Sequence, residues 1–204
     1  MERKVILIFI TFFVIFLLFG VLESGFDDNV IYIPNFLPNK DYQKLLSLST
    51  DKRKFIFEDF RYVKPIKDRS ILNIFYSSKI INSVRQILNN ENIIKSDFPI
   101  EHRIYPKGSP GMEWHSDLLM YQKPQYEAIY TIRNTSNSLT EWIDERGKKH
   151  SKWTEPNSIL IVKANGYRHH VLPVETGERE IMKLIYTQTK EINNNYTEEL
   201  ERFN

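Results

Sequence analysis

Two short stretches of this 204-residue chain carry side chains able to bind a metal. The first is Trp114-His115-Ser116-Asp117. The second starts at His169-His170 and runs through Val171, Leu172 and Pro173 to Gly177 and Arg179. In an extended segment side chains alternate with period two, so His115 and Asp117 project to one side. Together with one later histidine they make a two-histidine, one-carboxylate set. Such a set suits iron(II) and leaves coordination positions open on the face away from the protein. His-x-Asp alone is a weak signal, and its weight comes from the distal element. Arg179, ten residues beyond His169, is placed to hold an acidic small molecule. His102 and His150 have no partners at ligand spacing and read as surface or structural histidines. Trp114 and Trp142 read as core or pocket wall.

The length allows one domain plus an accessory segment. The formal net charge is +2, of which Arg3 and Lys4 against Glu2 supply +1. A nearly neutral remainder is no electrostatic footprint for nucleic acid. With no cysteine in the chain, disulfides, cysteine nucleophiles and thiolate metal sites are excluded.

Val5 to Leu22 is an 18-residue run interrupted only by Thr11 and Gly20. At about 1.5 Å per residue such a helix just spans a hydrocarbon core. Residues 1–28 are therefore expected to form a short cytoplasmic stub and a single transmembrane anchor. Arg3 and Lys4 precede the run, and no lysine or arginine follows before Lys40. The positive-inside rule then sends the rest of the chain to the lumenal side. A signal peptide cleaved near residue 24 would give a secreted protein instead, but Leu22-Glu23-Ser24-Gly25 is a poor cut site. Asn134-Thr135-Ser136 and Asn195-Tyr196-Thr197 are glycosylation sequons, consistent with a lumenal domain.

The elements that must position the chemistry follow from residue 29 onward. Val30 to Ile33 reads as a short strand, and Asn39 is expected to cap a helix carrying Tyr42, Leu45 and Leu46. Phe55 to Val63 alternates like one strand. Ser77 or Ser78 is expected to cap a second helix running to about Asn89, with Ile80, Ile81, Val84, Ile87 and Leu88 as its apolar stripe. After Asp97, short segments rich in Ile, Val, Tyr and Thr alternate with turn residues. They predict strands near Ile100–Tyr105, Met112–His115, Glu127–Arg133, Thr140–Ile143, Ser151–Thr154, Ser158–Val162, His169–Val171 and Glu180–Thr187. Eight short antiparallel strands with two covering helices suggest a double-sheet jelly roll, a mainly β (α+β) domain over residues 29–190. Residues 191–204 read as a polar, frayed tail. Asn134 to Ser138 and Glu145 to Lys149 read as mobile segments suited to a lid.

The run from His169 to Arg179 resembles the distal histidine motif of the 2-oxoglutarate/iron(II) oxygenases, and is most similar to their prolyl 4-hydroxylase-like branch. Val30-Ile31-Tyr32-Ile33-Pro34-Asn35-Phe36-Leu37 is similar to how those domains begin. Arg103-Ile104-Tyr105-Pro106-Lys107-Gly108 is similar to their approach to the first ligand. The resemblance spans about residues 29–189, is specific in the two metal motifs and loose between them. It implies a double-stranded β-helix with iron held by His115, Asp117 and His169. The ten-residue spacing to Arg179 and the valine two positions on select His169 over His170, which becomes an outward or supporting residue. It further implies that Arg179 binds the far carboxylate of 2-oxoglutarate, with Tyr105 or Thr187 adding a hydroxyl, O₂ as oxidant and ascorbate as an accessory reductant. The implied reaction hydroxylates an unactivated C–H bond and releases succinate and CO₂. A peptidyl proline or lysine is the expected substrate. Prolyl 4-hydroxylases usually carry lysine where Arg179 stands, whereas lysyl hydroxylases and several other branches carry arginine, and Tyr105 sits one residue further from His115 than the prolyl pattern has it. Two other functions fit less well: a jelly-roll binding module without turnover, and an AlkB-like nucleic-acid demethylase. The latter would carry a second arginine where Ile185 stands.

Overall fold

The computed structural model describes residues 28–203. The expected membrane anchor lies outside the described residues, and among those described no helix is long and apolar enough to cross a membrane. The strands are β1 (Val30–Ile33), β2 (Ile56–Glu58), β3 (Arg61–Ile66), β4 (Ile94–Lys95), β5 (Ile100–Tyr105) and β6 (Met112–His115). They continue with β7 (Tyr126–Asn134), β8 (Thr140–Ile143), β9 (Lys149–Lys152), β10 (Ser158–Lys163), β11 (His169–Val171) and β12 (Arg179–Thr187). The helices are α1 (Asn39–Leu46), α2 (Arg69–Tyr76), α3 (Ser78–Ile87) and α4 (Asn194–Leu200).

The strands form two antiparallel sheets, the arrangement expected of a jelly roll. The larger has the order β1-β10-β7-β12-β5-β3-β2, with β4 paired to β12. The smaller has the order β6-β11-β8-β9. Period-two alternation sorts the larger sheet into two faces. Tyr126, Ala128, Tyr130 and Ile132 of β7, with Met182, Leu184 and Tyr186 of β12, pack against Leu45, Ile71, Phe75 and Val84 of the helices. The intervening residues, including Glu127 and Ile129 of β7 and Arg179, Ile181 and Lys183 of β12, line a cavity instead. The helix-covered face is thus the hydrophobic core, and the opposite face is free to carry polar chemistry.

Several elements differ from the sequence-based expectation. Pro38 holds the N-cap position of α1 and Asn39 is its first residue, because the fixed φ of proline suits a helix start. Phe55 to Val63 is not one strand. Asp59 adopts a positive φ of 55° and folds the segment into the β2–β3 hairpin, a conformation that short polar side chains tolerate. Arg69–Tyr76 is an additional helix, capped by the Asp68 carboxylate, which accepts from the Ser70 amide at 2.7 Å. β9 covers Lys149–Lys152 rather than Ser151–Thr154, because Asp144 accepts from the Arg146 and Lys148 amides and closes a tight turn. Residues 194–200 form a helix rather than a frayed tail. Its Tyr196 is buried, and the ring packs edge-on against Phe98.

The first of the two expected lid segments, Asn134 to Ser138, is tied down. Asn134 donates to the Thr154 carbonyl and accepts from Ser136, while Asn137 accepts from the Glu175 and Thr176 amides. The Asn134 sequon is therefore closed in the folded domain, since that side chain is buried and bonded. Asn195 donates to the Leu119 carbonyl at 2.9 Å.

Candidate metal centre and cosubstrate cavity

Three strands of the smaller sheet assemble the predicted metal set. β11 lies between β6 and β8, with His169 directly opposite His115 on one side and Trp142 on the other. Gly111 lets β6 approach β11: at φ +84° its Cα faces the Val171 carbonyl so closely that an added Cβ would lie 2.1 Å from that oxygen. Asp117 follows β6, and its backbone carbonyl accepts from the Asn165 amide, fixing the loop after the strand.

The ligand atoms of His115, Asp117 and His169 all lie within 4.8 Å of one another. His115 Nε2 is 3.7 Å from one Asp117 oxygen and His169 Nε2 is 3.6 Å from the other. Bonds of about 2.0–2.2 Å from nitrogen and carboxylate donors bring two ligands within roughly 4.4 Å, so these spacings suit one ion. The far ring nitrogens are also bound. His115 Nδ1 donates to the Glu113 carbonyl at 2.6 Å and His169 Nδ1 to that of Tyr167 at 3.2 Å. Such bonds set the tautomer and leave each Nε2 lone pair aimed at the shared point. Burial, and then the neighbouring His115, lowers the His169 pKa below the ordinary imidazole value, which keeps it in the neutral, ligating form.

His170 faces the opposite way. Its ring stacks on Trp114 at 4.0 Å and its Nε2 meets Glu141 at 2.7 Å. His169 and His170 thus lie on opposite faces of β11, and His169 is the one gathered with His115 and Asp117. His102 is a buried partner of Glu180 at 2.7 Å, and His150 meets Asp144 at 2.7 Å while stacking on Trp142. Both have structural roles, and the two tryptophans stack on histidines.

The cavity runs from the three ligands to Arg179, with Thr140 and Tyr105 beside it. Arg179 and Tyr105 are paired residues on β12 and β5, so the register itself brings them together. Arg179 is buried, its Nε has no partner, and its closest polar contact is Thr140 Oγ1 at 3.5 Å from Nη1. Burial accordingly lowers its pKa, with Tyr105 opposing. Burial would raise the Tyr105 phenol, but the charges of Arg103, Arg61 and Arg179 outweigh it and the pKa is lowered. Thr187 does not belong to this site. It ends β12 eight residues from Arg179, and its hydroxyl donates to the Thr189 carbonyl at 3.0 Å.

Sequence reasoning passed over Arg103, Glu127 and Lys183, all of which line the cavity. The signal was a charged residue at the inward positions of strands whose neighbours are apolar. It becomes readable only once the inner face is known to be a cavity. Ile185, where a demethylase would carry its second arginine, is buried in a separate apolar cluster with Phe98, Met120 and Tyr121.

No protein-family model and no curated protein sequence matches the chain. Solved structures do match its fold. An oxidoreductase of the 2OG-Fe(II) oxygenase family from Burkholderia pseudomallei aligns with a TM-score of 0.67 at 12% identity, covering 81% of this chain and 87% of its own. A prolyl hydroxylase from Trichoplax adhaerens, solved with a hypoxia inducible factor oxygen degradation domain peptide fragment, aligns at 0.61 and 16% identity, covering 79% and 84%. HygX from Streptomyces hygroscopicus, solved with nickel, 2-oxoglutarate and hygromycin B, aligns at 0.57 and 9% identity, covering 78% and 82%. The fold is therefore that of the 2-oxoglutarate/iron(II) oxygenases, as the motif resemblance implied.

Proposed function

We propose that this chain is a 2-oxoglutarate- and iron(II)-dependent dioxygenase that hydroxylates an unactivated C–H bond of a peptidyl residue, proline or lysine. The observation that carries the reading is the buried Arg179 guanidinium without an anionic partner, in the same cavity as His115, Asp117 and His169. An unpaired buried cation is costly, and a bound carboxylate removes that cost. Iron(II), with 2-oxoglutarate and O₂, supplies the oxidative chemistry and releases succinate and CO₂, with ascorbate as an accessory reductant.

The chain's own residues supply geometry. His115 Nε2, an Asp117 oxygen and His169 Nε2 would hold the metal. The planar Arg179 donor, with the hydroxyls of Tyr105 and Thr140 beside it, would receive the far carboxylate and fix the cosubstrate's orientation. Ile129, Leu160, Val162 and Ile181 line the same cavity and keep it dry. The peptide substrate class draws support from the peptide-bound prolyl hydroxylase among the matching folds. We place the domain on the lumenal side of a membrane, held by the Val5–Leu22 run.

The test is succinate formation from 2-oxoglutarate on admitting O₂ to protein loaded anaerobically with iron(II). A chain beginning at Asp28 keeps the bonds of Asp28 to Tyr126 and Lys163. Succinate formation that disappears in His169→Ala supports the reading. Failure to bind both iron(II) and 2-oxoglutarate overturns it.

A further inference from the structure

Glu127 and Lys183 form an ion pair at 2.5 Å inside the cavity, close to the metal ligands. Neither is needed for holding iron or 2-oxoglutarate. Burying an ion pair costs desolvation that apolar residues of similar size would avoid, so a pair kept here calls for a reason. The pair also lies where two spaces meet. His115, Asp117, Met112, Glu127 and Lys183 line the cavity that leads to Arg179. The same five residues line an adjoining opening bounded by Leu118 and by Glu199 of α4. With the cosubstrate at the Arg179 end, this second opening would offer the group to be oxidised a way in past Asp117 and His115.

Carboxylates on that route are few, and the two inner ones are committed. Asp117 belongs to the metal set. Glu127 is taken by Lys183, whose own pKa burial would lower but the Glu127 charge raises, so the ammonium stays charged. Glu199, at the rim, is met by Arg202 at 3.3 Å. A cationic side chain passing the rim would meet the Lys183 ammonium and find the two inner carboxylates, Asp117 and Glu127, already occupied. Resting on the oxygenase reading above, we infer that Lys183 is a specificity-determining residue. By occupying Glu127 it keeps cationic side chains away from the metal, and the reacting side chain of the prime substrate is uncharged. Of the two residue types considered above, this disfavours lysine.

The arrangement makes a prediction that needs no knowledge of the substrate. Truncating Lys183 leaves Glu127 buried beside a vacated space; burial, then the Asp117 charge, raises its pKa, so the melts are run in mildly alkaline buffer, where the carboxylate is ionised and a small ammonium ion should fill the space. The probes are ethylammonium and, as a neutral control, ethanol, added to the full chain at matched ionic strength. Melting temperature is the readout. Ethylammonium should raise the melting temperature of Lys183→Ala, leave the wild type unmoved, and leave the charge-free double variant Glu127→Gln/Lys183→Ala, which keeps the same space, unmoved. Ethanol should move none of them. Equal stabilisation of wild type and Lys183→Ala by ethylammonium overturns the inference, as does no stabilisation of Lys183→Ala. If Lys183→Ala does not fold, Lys183→Ser, which leaves a similar space, takes its place, judged by the same contrast with a Glu127→Gln/Lys183→Ser double variant. A second arm compares poly(L-lysine) with uncharged poly(L-proline) as stimulants of succinate formation. Stimulation of the wild type by poly(L-lysine) overturns the inference. Failure of the oxygenase reading shows separately, as absence of 2-oxoglutarate binding with the ethylammonium contrast intact.

Discussion

Replacing Arg179 with Met should move cosubstrate affinity and protein stability in opposite directions. The guanidinium is buried, lacks a partner at Nε and makes only a 3.5 Å contact to Thr140. Without cosubstrate it pays desolvation and receives little in return, so methionine of similar reach should leave the metal-free protein neutral or stabilised by about 1–3 kcal/mol. For a chain of this size that is a rise of roughly 2–4 °C in melting temperature for each kcal/mol. With 2-oxoglutarate bound, the same change strands a carboxylate in a dry cavity. Losing one partner of a buried charge pair costs about 2–5 kcal/mol. At 1.4 kcal/mol per tenfold, affinity should fall roughly 30- to 4,000-fold. Calorimetric titration of 2-oxoglutarate into anaerobic, metal-loaded protein measures the first effect, and thermal melts without metal measure the second. Unchanged 2-oxoglutarate affinity would refute the assignment of Arg179 as the carboxylate anchor. Affinity and melting temperature falling together would mean that Arg179 is a structural residue.

Other outcomes are equally specific. His169→Ala should abolish iron(II) binding measured by equilibrium dialysis, whereas His170→Ala should retain it and lose about 1–2 kcal/mol of stability through its bond to Glu141 and its stack on Trp114. Gly111→Ala should weaken metal binding and stability together, because the new Cβ would be driven into the Val171 and Leu172 backbone beside the ligand strand; retention of both in melts and dialysis would contradict the close approach of β6 and β11. Burial would raise the Glu180 pKa, but hydrogen bonds from His102 and Arg133 outweigh it and hold it below the ordinary carboxylate value. Its contribution is therefore complete above the unfolded pKa of about 4.3 and lost as pH falls through the lower folded value. Urea midpoints followed downward from pH 6 should decline less steeply in Glu180→Gln, although that variant starts about 3–5 kcal/mol less stable from stranding His102 and Arg133. Membrane flotation should retain the full chain and release one starting at Asp28 if Val5–Leu22 is an anchor.

What the sequence disclosed was the part of the site with local periodicity. His115 and Asp117 are two residues apart, so alternation aims them to one side; His169 and Arg179 were legible through their ten-residue spacing within the distal motif. The partner of Arg179 was half visible: Tyr105 joins it through β5–β12 register, whereas Thr187, on the same strand, points its hydroxyl to Thr189. Choosing between them requires knowing which end of β12 faces the metal, and that is a property of the folded sheet. The Glu127–Lys183 pair was hidden for the same reason, since the two residues are 56 positions apart. The β2–β3 hairpin was missed because its turn, Asp59-Phe60, has no glycine or proline, and α4 because its polar sequence hides one buried anchor, Tyr196. Helix α3 was legible because its apolar stripe and its serine start agree.

The outer strand β1 pairs with β10 from Val30 opposite Val162 to Ile33 opposite Ile159. A ribosome adding about 5–20 residues per second therefore makes β1 roughly 7–26 s before its partner exists. For that interval a segment reading Val-Ile-Tyr-Ile has no ladder to join, and β11, which carries His169, has yet to be made. Among the described residues β1 is thus the earliest strand made yet among the later ones to be paired, and until β10 emerges its edge stays open to other partners.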